Sequence, residues 1–212
     1  MIIVAYMSCP KLISKSFISK VYDLLPSQVA FTIHNFSQHQ RKLSFLLGRL
    51  MLSKMLDIDL TSIQLGQYGK PSLPNGFHFN ISYSNNLVIC AISENYEIGV
   101  DVEYIKSDIV VDDYLSILNE NDGNIISNSY DEVETFYKVW TAKESVMKAD
   151  GRGFNIGMDN IELYDNYALI AKESKKWYLR WRVPMARYQL AVCCEEDVDV
   201  ELRSFDLLDT VG

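Results

Sequence analysis

The stretch VWTAKESVMKADG, Val139 to Gly151, puts a glutamate where a helix should bury a hydrophobe. Val133, Tyr137, Trp140, Glu144 and Met147 recur at steps of four and three, the spacing that lines one face of an α-helix. Glu144 therefore falls inside an apolar stripe. Lys143 precedes it and Lys148 follows one turn later, so both ammonium groups are expected beside the same carboxylate. A buried carboxylate costs several kcal/mol unless it is paired or binds a metal. The simpler alternative is a glutamate at the stripe's edge, ion-paired with Lys148. Ser129 and Glu132 have capping-box spacing at the helix start, and Gly151 and Gly153 can stop it after Asp150.

Upstream, EIGVDVEYI alternates Ile98, Val100 and Val102 with Gly99, Asp101 and Glu103, which reads as a strand. Asp101 and Glu103 then share one face, about 7 Å apart at their Cα atoms. Like charges so close call for a cation. Before that strand, FHFNISYS and NNLVICAIS read as a hairpin turning at Ser84 to Asn86. Its first strand puts Phe77, Phe79, Ile81 and Tyr83 on one face, and His78, Asn80, Ser82 and Ser84 on the other. The segment GQYGKPSLPNG before it is rich in turn residues. Ser37 and Gln40 mark the start of a further helix, from His39 to Leu56.

Beyond Val102, helix-like character near Asp113 to Asn119 precedes a polar stretch, Asn119 to Asn128, expected as a loop. The C-terminal third, with IELYDNYALIA, KWYLRWRV and RYQLAVCC, suggests three antiparallel strands, and the whole is α+β.

A chain of 212 residues that is 48% hydrophobic and 23% charged has the composition of a soluble globular protein, which excludes disordered and fibrous classes. The run MIIVAYM is too short to span a bilayer and lacks the preceding basic segment of a secretory signal, so a cytoplasmic protein is expected. Cys9, Cys90, Cys193 and Cys194 form no C-x-x-C pair and read as buried thiols, Cys193 and Cys194 on opposite faces of a strand. The three histidines show no zinc spacing, so any metal is expected to be bound by oxygen. Residues 1–56 carry seven basic side chains against one acidic, whereas the remainder carries thirteen against twenty-seven. A basic N-terminal third suggests an anionic ligand, but the basic residues are dispersed and lack an aromatic platform, which argues against nucleic acid.

Asp101 and Glu103 from a strand and Glu144 from a helix would make a hard oxygen site suited to Mg²⁺. Any phosphate beside it needs further cations, for which Lys143, Lys148, Lys70 and the first helix are candidates. The combination of GVDVE, WTAKESVMK, YGKP and FNISYS, in that spacing from Arg41 to Phe154, resembles the 4′-phosphopantetheinyl transferases of the surfactin-activating (Sfp) type. Each motif alone is weak, and four in register are specific.

The resemblance implies two similar α+β lobes in a pseudo-dimer, residues 1–100 and 101–212, with the active site between them in a monomer. It implies Mg²⁺, with Mn²⁺ as the alternative ion, and coenzyme A as co-substrate. The phosphopantetheine arm would pass to a serine of an apo acyl or peptidyl carrier protein, releasing adenosine 3′,5′-bisphosphate; neither nucleic acid nor membrane is a partner. Asp101, Glu103 and Glu144 would hold the metal. Glu144, or a water held by Glu103, would take the serine proton, and Lys148 would stabilise the pyrophosphate. Lys70, Pro71, Ser82, Tyr83 and Lys143 would line the coenzyme A site, with Arg41 and Arg49 as 3′-phosphate candidates. Tyr83 stands where the family strand commonly has histidine, and it brings no positive charge. Two competing readings are a relative that binds coenzyme A without efficient transfer, and another Mg²⁺-dependent phosphotransfer or hydrolytic enzyme.

Overall fold

The computed structural model describes residues 1–10, 19, 23, 25, 39–74 and 76–206. Ser37, half of one expected cap, and the basic residues Lys11, Lys15 and Lys20 lie outside them. Two sheets carry the fold. The first has the order β11-β1-β5-β4 and is built from β1 (Ile2–Ser8), β4 (His78–Ser84), β5 (Leu87–Ser93) and β11 (Val200–Ser204). The second has the order β6-β10-β9-β8-β7 and is antiparallel throughout, from β6 (Ile98–Tyr104), β7 (Ile161–Leu163), β8 (Tyr167–Ile170), β9 (Lys176–Arg182) and β10 (Tyr188–Cys194). A short pair, β2 (Gln64–Leu65) with β3 (Pro71–Ser72), frames the turn that carries Lys70. Gly69 takes φ +82° in that turn, a conformation that costs glycine little.

The same connectivity occurs twice. In the first half β1 leads to the long helix α1 (His39–Leu56) and then to the hairpin β4–β5, with β1 antiparallel to β5. In the second half β6 leads through the short helices α2 (Asp112–Leu115) and α3 (Glu120–Ser127) to the long helix α4 (Glu132–Asp150). From there the chain reaches the hairpin β9–β10, with β6 antiparallel to β10. The chain changes sheets between β5 and β6, and β11 returns to pair in parallel with β1.

Strand periodicity dictates the layers. In β5, Val88, Cys90 and Ile92 pack with α1 side chains such as Leu47 and Met51, while Leu87, Ile89 and Ala91 face the second sheet. In β10, Ala191 and Cys193 face α4, whereas Leu190, Val192 and Cys194 face the first sheet. Both strands are buried on both faces, which is why they read as continuous apolar runs. The result is helix, sheet, sheet, helix, with an apolar layer between each pair. The adjacent cysteines do diverge to opposite faces, and all four are buried free thiols.

Three expectations about elements need correction. The polar stretch after Leu118 is helix α3: the Asn119 side chain caps it by accepting from the Asp122 N–H, and Ile126 and Asp122 are fully buried. The cap of α4 is Asp131, which accepts from the Glu134 N–H, while Ser129 turns back to donate to Ile126 O. The stretch IELYDNYALIA folds as two strands, β7 and β8, rather than one. No described helix is long and apolar enough to cross a membrane.

Candidate active site

The site forms where α4 lies on the outer strand of the second sheet. Gly99, Asp101 and Glu103 line the face of β6 that meets the helix. At Gly99 a Cβ would sit 2.0 Å from Ser145 O and 2.4 Å from Ala149 N, so only glycine lets helix and strand approach this closely. That approach brings the polar ends of α4 and β6 together. Lys148 Nζ donates to Asp101 Oδ1 at 2.5 Å and to Ser82 Oγ at 3.1 Å, and lies 4.0 Å from Glu144 Oε2.

The polar face of β4 completes the arrangement. Strands β4 and β6 are the facing edges of their sheets, and an exposed edge leaves unpaired N–H groups. Here side chains satisfy them: Asn80 Oδ1 accepts from Val100 N, Ser82 Oγ from Val102 N, and Ser84 Oγ from Tyr104 N, at 2.9, 3.3 and 3.0 Å. The two serines then donate to the carboxylates between those positions, Ser82 to Asp101 at 2.9 Å and Ser84 to Glu103 at 2.6 Å. The period-2 row of Asn80, Ser82 and Ser84 is thus a seam that joins the two sheets and fixes both carboxylates. Sequence alternation shows this row but not its partner strand.

Electrostatics mark the cluster as short of positive charge. Burial and the nearby Asp101 charge push the Glu103 carboxyl up to about 7, against the hydrogen bond from Ser84 and the charge of Lys148. Glu144 is raised by burial and by Asp101, and Asp101 is raised by burial in spite of Lys148 and Ser82. Burial disfavours the Lys148 ammonium, but the charges of Asp101, Glu144 and Glu103 outweigh it and its pKa is raised. Asp101 is 2% exposed, and its Oδ2 has no hydrogen-bond partner among the described residues. An orphaned buried carboxylate oxygen, beside two further carboxylates held toward their neutral forms, suits a hard cation. The described residues hold no preassembled group of three or more metal-ligating side chains. Lys148 occupies the gap between Asp101 and Glu144.

The other expected residues divide. Lys70 reaches the far end of α4, where its Nζ donates to Ala149 O and its stem packs beside Gly151. Burial lowers its pKa despite the charges of Glu97, Cys193 and Asp150. Lys70 and Pro71 line a groove of about 300 Å³ with Phe77, His78 and Asp150. Tyr83 lies on the opposite face of β4 from Ser82 and packs with the core under α1. Near it, Arg49 lies 3.3 Å over the Phe45 ring, its pKa lowered by burial to about 10. Arg41 is exposed at the start of α1.

Lys143 is not brought to this site. It is fully buried on another face of α4, ion-paired with Asp122 of α3, and donates to Met158 O at 2.8 Å and Ile161 O at 2.5 Å. Successive helical residues point about 100° apart, so the lysine next to Glu144 in sequence faces elsewhere. Burial pushes Asp122 up and Lys143 down, and their contact opposes both shifts.

Residues 97–193, from the start of β6 almost to the end of β10, match the model of the 4′-phosphopantetheinyl transferase superfamily. This segment belongs to that superfamily. The chain is 35% identical over 140 residues to the 4′-phosphopantetheinyl transferase gsp of Aneurinibacillus migulanus, covering 62% of this chain and 59% of that one. It is 31% identical over 137 residues to the 4′-phosphopantetheinyl transferase Sfp of Bacillus subtilis (strain 168), covering 61% and 60%. A further 4′-phosphopantetheinyl transferase of Bacillus subtilis is 27% identical over 171 residues, covering 76% and 75%. The matches thus span about three fifths of the first two relatives' length.

Proposed function

We propose that the protein is a 4′-phosphopantetheinyl transferase. It moves the phosphopantetheine arm of coenzyme A to a serine hydroxyl of an apo acyl or peptidyl carrier protein and releases adenosine 3′,5′-bisphosphate. The observation that carries this reading is the convergence of Asp101, Glu103, Glu144 and Lys148 where β6 meets α4, within the segment that matches the superfamily. Attack on a pyrophosphate needs charge neutralisation and alignment more than a covalent nucleophile, and this cluster would supply both once it holds a divalent cation. Mg²⁺ held by Asp101, Glu103 and Glu144, with Mn²⁺ as the alternative, would supply charge neutralisation at the pyrophosphate.

The chain's own groups do the rest. Glu144, or a water held by Glu103, accepts the serine proton. The serine oxygen forms a bond to the phosphorus that carries the pantetheine arm. The bond from that phosphorus to the nucleotide phosphate breaks, and Lys148 stabilises or protonates the departing oxygen. Lys70 and Pro71 border the groove proposed for the nucleotide end, and Arg41 and Arg49 stay as 3′-phosphate candidates. Because Ser82 and Ser84 come from one sheet and the carboxylates from the other, a single chain completes the site, as a monomer requires.

Intact-protein mass spectrometry of an apo carrier incubated with coenzyme A, Mg²⁺ and this protein tests the reading. A phosphopantetheine-sized mass gain that disappears with chelator is expected. No gain on either acyl or peptidyl carriers would overturn it.

A further inference from the structure

Lys148 is the cation that Asp101 and Glu144 share. Among the described residues no other lysine or arginine pairs with Asp101, Glu103 or Glu144. Its ammonium is 2.5 Å from Asp101 Oδ1 and 4.0 Å from Glu144 Oε2, so it sits in the gap between the two side chains. Ser82 holds it there, at 3.1 Å. An ion ligated by both Asp101 and Glu144 needs oxygens at about 2.0–2.1 Å, and one that takes Asp101 Oδ1 with Glu144 enters the same gap. Two cations cannot share it. At such a separation a divalent ion and an ammonium repel strongly.

We infer that Lys148 is a tethered place-holder: it occupies the cation seat in the metal-free protein, and it yields Asp101 to a divalent ion and swings to an anionic ligand. The inference rests on the reading of Asp101, Glu103 and Glu144 as a cation site. Lys148 can make this move because its side chain is 29% exposed whereas that of Asp101 is 3% exposed. The lysine has room to leave and the aspartate has none. Its positive charge is then delivered to a phosphate only after the metal has arrived. The two binding events are therefore coupled through one side chain rather than through a change of fold.

The experiment is Mn²⁺ binding to the whole chain, followed by electron paramagnetic resonance without coenzyme A or carrier. Lys148→Met removes the competitor, so it should bind Mn²⁺ more tightly than the unaltered protein, on the order of tenfold. In the unaltered protein with ¹³Cε-labelled lysine, the Lys148 resonance, assigned by its loss in Lys148→Arg, should shift as Mg²⁺ is added. This second measurement holds even if Lys148→Met folds poorly.

Equal or weaker binding by a folded Lys148→Met, or a Lys148 resonance that stays fixed while Mg²⁺ binds through Asp101 Oδ2, would overturn the place-holder alone. Absence of Mn²⁺ binding in both proteins would overturn the cation site with it. A shift of Lys148 with no mass gain on any carrier would leave the place-holder standing and remove the transferase reading.

Discussion

Glu144 decides more than any other single residue, because it alone brings a carboxylate from α4 to face two from β6. Glu144→Gln keeps the size and removes the charge. Under the proposed function, transfer to the carrier should fall by at least about 10²-fold, the usual contribution of a positioned acid or base. The far-ultraviolet circular dichroism spectrum should be unchanged. Transfer within a few-fold of the unaltered protein would remove Glu144 from the machinery. This carboxylate was legible in the sequence because a charge inside an apolar stripe is improbable without a partner, and Asp101 and Glu103 were legible because two like charges on one strand face demand a cation. Lys148, one turn after Glu144, was legible for the same helical reason that made Lys143 misleading. Ser82 was expected beside phosphate, but its hydroxyl already bonds Asp101, Val102 and Lys148. Nothing in a single strand's alternation shows which neighbouring edge its polar face will meet.

The contact between α4 and β6 is the element on which the site depends, and Gly99 is its weakest point. Gly99→Ala places a methyl 2.0 Å from a helix carbonyl that cannot yield without moving α4. Overpacking of this kind costs about 1–3 kcal/mol. The urea midpoint should fall by a corresponding amount, and transfer should fall more than stability accounts for, since Glu144 and Lys148 move with the helix. A midpoint and activity both unchanged would show that α4 does not need this approach.

Helix α3 is fastened to α4 by a different device, the buried Asp122–Lys143 pair. Asp122→Ala strands the Lys143 ammonium in the core and should cost about 3–5 kcal/mol, whereas Asp122→Leu with Lys143→Met should restore most of the loss. Denaturant melts of the three proteins check this; a double variant no more stable than the single one would refute it. Helix α3 was missed because at eight residues it is too short to show a repeating apolar stripe, and its Asn, Asp, Gly and Ser read as turn residues.

At the scale of the whole molecule, two halves of like connectivity meet with a charged cluster at their junction, and that cluster makes stability depend on pH. A carboxyl whose folded pKa is raised binds more protons folded than unfolded, so stability falls as pH rises between the two values. For Glu103 that window runs from about 4.5, its ordinary value, to about 7. Asp101, Glu144 and Asp122 are raised as well and act in the same direction. The opposing carboxylates, Asp59, Asp150 and Glu195, are lowered, and their stabilisation is lost only as pH drops below their ordinary values. Lys148 is raised above the lysine range and stays charged throughout. The metal-free protein should therefore melt at a lower temperature at about pH 7.5 than at about pH 5.5. Glu103→Gln should flatten that slope by removing the largest resolved carboxyl shift within it. Mg²⁺ should flatten it by another route, since a cation at the cluster favours the ionised forms and restores the melting temperature at the higher pH. Thermal melts in chelator and in Mg²⁺ across this range make the comparison. A slope that Glu103→Gln leaves intact would assign the pH dependence to groups away from the junction. A slope that Mg²⁺ leaves intact would mean that the cluster keeps its protons because it has no other cation to exchange for them.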